Sequence, residues 1–215
     1  MKYQNFLQYT REFFFKKNNK PNLDFTESDP WYKLFESGSL PKNYYSTYNV
    51  SYKSDKLYLT FGDQIFLKYF INIPKGEYDV TYFAVSEFDP YVIRFNLKSN
   101  PNQVIKEKTI FDAANVDGYC AVIDSSDIKA ISNDSSSIVT KDKIVWDKLE
   151  SIIDDDEEIF DVEAMKKISP ANTPILIFQF DENDPEVVVG YDSSNKITEF
   201  YLVGGSKSEI ISELS

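Results

Sequence analysis

The sequence has no histidine and a single cysteine, Cys120. Without imidazole, histidine-ligated zinc centres and acid–base schemes built on that ring are excluded. A Cys-His nucleophilic pair and a Ser-His-Asp triad fall with them. One thiol cannot form an intramolecular disulfide. The residues around Cys120 are apolar or acidic, which raises a thiol pKa, so an inert side chain is expected. Glycine is also scarce, at seven residues. Gly62, Gly76, Gly118, Gly190 and Gly204-Gly205 fit no Walker or dinucleotide loop and read as turn or bulge positions.

Arginine occurs only at 11 and 94, and the lysines form no block. A nucleic-acid partner needs a basic stripe, and an anionic membrane surface needs a basic cluster; neither partner is expected. Long apolar runs are missing too. The longest, at residues 175–180 and 187–189, are strand-sized, against about 20 residues for a membrane helix. No apolar stretch of signal-peptide length precedes Arg11 and Glu12. With a lone thiol, this leads to the expectation of a cytoplasmic protein.

What remains is an acidic, aromatic chain of 215 residues, with 35 Asp+Glu against 23 Lys+Arg and a formal charge of −12. Aromatic residues make up 16%, which excludes a disordered class. A chain of this length buries roughly 70% of its unfolded surface and needs no covalent staple. Its charge attracts basic partners at a rate that falls with salt.

Periodicity divides the chain. Phe6, Tyr9 and Phe13 recur at helical spacing until Pro21. A second short helix is expected to start at Ser28 or Asp29, with Pro30 at its first position and Gly38 at its exit. Residues 1–45 therefore read as a helical extension packed on a core of residues 46–215. From about Asn49 to Ile123 the period is two. Strands are expected at 56–61, 64–73, 78–85 and 91–98, with a hairpin turn at 87–90. In the last of these, Tyr91, Ile93, Phe95 and Leu97 form a dry face, against Val92, Arg94, Asn96 and Lys98. Residues 145–153 and 161–168 have helical spacing, behind a polar linker at 132–137. Strands return at 174–180, 186–191 and 197–203, with a turn at 192–195. The reading is α+β: a mainly antiparallel sheet with helices at the N-terminus and in the middle of the chain.

Several groups could carry chemistry. The acidic run Asp154, Asp155, Asp156, Glu157 and Glu158 could face a basic partner or hold a hard cation. It lacks the glycine of an EF-hand, and a solvated loop is the simpler reading. Asp181 and Asp184 lie in an oxygen-rich segment that also has turn composition. Arg94 could clamp a carboxylate or phosphate, or neutralise an acidic neighbour across the strand pair. A carboxylate-based enzyme or cation-binding site would draw on Arg94, Asp117, Asp124, Asp181 and Asp184, converging on one concave pocket. No cofactor is expected.

A set of landmarks occurs in order: Gly62-Asp63, then Pro74-Lys75-Gly76-Glu77-Tyr78-Asp79-Val80, then Val92-Ile93-Arg94-Phe95. Val116-Asp117-Gly118 through Asp124 follow, and then Gly190-Tyr191-Asp192. This order resembles the uncharacterised bacterial family catalogued as domain of unknown function 4241, over residues 55–203. The resemblance implies a bacterial, cytoplasmic protein and supplies no activity. The leading expectation is a non-catalytic protein-binding module, in its specific form an immunity or antidote protein for a basic toxin. The alternatives are the carboxylate-based enzyme or ligand binder and a structural component of a larger assembly.

Overall fold

The computed structural model describes residues 25–36, 45–61, 70–84, 91–112, 118–131, 147, 176–180 and 185–214. The expected helices at 6–14 and 161–168, the turn at 87–90 and the linker at 132–137 lie outside them. Of 145–153, only Asp147 is described.

The described residues form mostly antiparallel β-sheet with short helices. In chain order the elements are α1 (Trp31–Glu36), β1 (Tyr45–Tyr52), β2 (Lys56–Phe61), β3 (Phe70–Asn72), β4 (Gly76–Ala84) and β5 (Tyr91–Leu97). Then come β6 (Lys106–Asp112), β7 (Gly118–Asp124), α2 (Ser125–Ile131), β8 (Leu176–Phe180), β9 (Pro185–Tyr191), β10 (Ile197–Gly204) and α3 (Lys207–Leu214). A six-stranded sheet has the order β1-β4-β5-β10-β9-β6, and a four-stranded sheet the order β3-β2-β7-β8. Every pairing in both is antiparallel.

The two sheets share one bent hairpin. β1 pairs with β4 down to Tyr52 opposite Gly76. The same two chain segments pair again beyond the bend, as β2 with β3, starting at Lys56 opposite Asn72. Between these registers lies a corner at residues 53–55 and 73–75, bridged by the Ile73 N–H donating to the Asp55 carbonyl at 3.1 Å. Strands that switch sheets at such a bend must tie up the backbone groups that leave the ladder. Pro74 has no N–H to satisfy, and its carbonyl accepts the Tyr78 hydroxyl at 2.6 Å. Gly76 has φ +150°, and a Cβ there would come 3.3 Å from Leu97 Cδ1.

The six-stranded sheet is buried on both faces at its centre. In β10 every residue after Ile197 is buried, which is why its sequence shows no wet–dry alternation. On one face Phe95 stacks on Phe200 with centroids 4.2 Å apart, Phe200 meets Tyr78 at 5.9 Å, and Tyr78 meets Tyr52 at 5.6 Å. On the other face α1 and α3 bring Trp31, Leu34 and Ile210 against Val92, Val188, Tyr201 and Val203, with Phe25 in the same cluster. Val92, expected on a wet face, is fully buried because these helices cover that side. Lys98, just past the end of β5, is exposed as expected.

Several strand expectations match closely: 56–61, 91–98, 186–191 and 197–203 all appear as strands. The turn at 192–195 is present, with Asn195 at φ 60°. Asp192 organises it, accepting the Ser194 and Lys196 N–H groups on Oδ1 at 2.8 and 2.9 Å, and the Asn102 amide on Oδ2 at 2.9 Å. The short helix begins at Trp31, directly after Pro30. α2 and α3 were not expected. Substituting Gly76→Ala forces a side chain into a backbone region reserved for glycine and should cost on the order of 1–3 kcal/mol, read as a lower urea midpoint. An unchanged midpoint would contradict the described corner.

Candidate functional site

Two polar centres stand out, one on each sheet. The first is Arg94 on β5 and Glu199 on β10. Arg94 lies opposite Tyr201, and Glu199 opposite Asn96, so the two side chains are diagonal neighbours on one face. The Arg94 Nε donates to Glu199 Oε2 at 2.6 Å, and Nη2 lies 2.5 Å from the same oxygen. The Tyr201 hydroxyl donates to Glu199 Oε1. Phe35 of α1 stacks on Tyr201 and lies under the guanidinium, 5.2 Å from its centre. Gly190, opposite Glu199, makes room: a Cβ there would meet Val104 Cγ2 at 2.9 Å and Glu199 Cγ at 3.1 Å.

The Glu199 side chain is only 2% exposed, and burial raises its pKa above the usual carboxylate range. Arg94 opposes that shift; the charges of Glu107 and Glu36 add to it. Glu107 is the second carboxylate beneath α1. Its two oxygens accept the N–H groups of Trp31 and Tyr32 at 2.8 and 2.6 Å, the first turn of the helix. Burial raises its pKa too, while these N–H groups and Lys207 pull it back. Arg94 is therefore engaged in a structural pair with a buried acid, one of the two roles its sequence position allowed.

The second centre is Asp124, 1% exposed at the end of β7. Its Oδ2 accepts the N–H groups of Lys53 and Ser54 at 2.7 and 3.1 Å, the backbone of the hairpin corner. Its Oδ1 accepts the Ser126 N–H at 2.8 Å, and the hydroxyls of Ser54 and Ser126 both lie 2.7 Å away. The residue thus caps α2 and fastens the corner at once. Burial alone would raise its pKa; the Ser54 and Ser126 hydrogen bonds outweigh it and hold the carboxyl below the ordinary value of 3.8. Tyr52 sits nearby, its pKa raised by burial, then by Tyr78, Asp124 and Asp127, and its hydroxyl is buried with no hydrogen-bond partner among the described residues.

The expected five-residue site is described only at Arg94 and Asp124. These two are on different sheets and share no partner among the described residues. Asp117, Asp181, Asp184 and the run 154–158 lie outside the described residues. Cys120 lies in β7, in register with Phe61 and Phe178. Among the described residues no group of three or more Cys, Asp or Glu is placed to hold a metal ion. Nor is any helix there long and apolar enough to cross a membrane. Glu199, Glu107 and Tyr52 were missed from the sequence. Glu199 alone left a signal, as the one charge inside the otherwise strand-forming run 197–203. No protein-family model, curated protein or solved structure matches the chain.

These carboxylates make opposite predictions with pH. Asp124 contributes stability above pH 3.8 that is lost as pH falls through its lowered value. The shares from Glu199 and Glu107 are full below 4.5 and are lost as pH rises through their raised values. Urea midpoints against pH should therefore peak in the mildly acidic range, and Glu199→Gln should flatten the fall on the neutral side. A profile in which that variant keeps the full slope would contradict the assignment. Arg94→Ala strands a buried charge and should cost about 3 kcal/mol. Arg94→Met combined with Glu199→Gln should cost less than the two single substitutions added together; a double-variant loss equal to that sum would show that the pair is not coupled.

Proposed function

We propose that the chain is a non-catalytic, acidic protein-binding module with a basic protein as its partner. The specific form worth testing is a bacterial, cytoplasmic immunity or antidote protein that neutralises a basic toxin. The formal charge of −12 is the observation that carries this reading. A field of that sign concentrates cationic partners near the surface and accelerates their association. The tyrosines add support: Tyr52, Tyr78 and Tyr201 of the fifteen are buried, and those that reach the surface provide rigid contact area with a polar tip.

The carboxylates at the two polar centres, Asp124 and Glu199, are held by donors of the fold itself. A general acid or base must exchange a proton with a substrate near the working pH. Asp124 instead has its oxygens occupied by fixed donors and its pKa lowered. Glu199 is held between Arg94 and Tyr201. Asp124 has no lone pair left for proton transfer to a ligand, and Glu199 is buried out of a ligand's reach.

We further infer that the whole chain is of the α+β class, with a 1–45 extension packed on a 46–215 core, and that it is kin to the family catalogued as domain of unknown function 4241. That kinship rests on the order of the landmarks from Gly62-Asp63 to Gly190-Tyr191-Asp192.

The test is affinity capture from a bacterial lysate with the full-length chain, followed by mass spectrometry and measurement of affinity against salt. The expected result is one partner of basic composition whose affinity falls by about tenfold or more between low and high ionic strength. No partner, or binding indifferent to salt, would overturn the proposal. So would turnover of a small compound that is abolished by a single Asp→Asn substitution in a folded variant.

A further inference from the structure

We draw no further inference here: the strongest candidate, the outer edge of β6 with exposed Ile110 in it and Ile105 just before it, carries the lysines and register shift that guard sheet edges against pairing, and nothing in the structure shows what covers it.

Discussion

A hairpin that leaves one sheet and enters another must release backbone N–H groups from the ladder, and in this protein a buried carboxylate takes them up. Asp124 accepts the N–H groups of Lys53 and Ser54 at the corner while capping α2 with the Ser126 N–H. The β1/β4 and β2/β3 registers meet at that corner, so the relation between the two sheets depends on it. An ionised oxygen suits the task because its hydrogen bonds are about twice as strong as neutral ones. Their sum outweighs the cost of burying the charge, which is the meaning of the lowered pKa.

The same device recurs. Asp192 closes the β9–β10 turn on the Ser194 and Lys196 N–H groups, and Glu107 receives the first turn of α1. Glu209 and Ser206 form a reciprocal box at the start of α3, the Ser206 N–H reaching Glu209 at 2.7 Å and the Glu209 N–H reaching Ser206 at 3.2 Å. The acid excess is thus partly architectural. Acidic side chains without such duties are the ones free to act at a surface, and that is where the proposed electrostatic attraction of a partner has to arise.

How much of this the sequence made legible depends on how local each cause is. The strands at 56–61 and 91–98 were readable because their pattern is written in neighbouring residues. The turn at Asp192 was readable because Asp, Ser and Asn favour it for backbone reasons. The start of α3 carried a local signal, Ser206-x-x-Glu209, that went unread. The start of α2 carried another, in Asp124-Ser125-Ser126-Asp127. The Arg94–Glu199 pair was half legible: an arginine facing an acidic neighbour across strands was expected, but the neighbour lies 105 residues away and is chosen by strand order. The role of Asp124 could not be read, because its donors at 53 and 54 come from a different strand connection and only the tertiary corner brings them within reach.

Amide hydrogen exchange tests the central claim most directly. In the native protein the Lys53, Ser54 and Ser126 N–H groups should be strongly protected although they lie at the ends of regular elements. Replacing Asp124 with alanine should expose these three while the Ser194 and Lys196 N–H groups, held by Asp192, keep their protection relative to the global stability of the variant. If the three corner amides exchange freely in the native protein, or keep their protection when the carboxylate is removed, Asp124 is not what fastens the two sheets together.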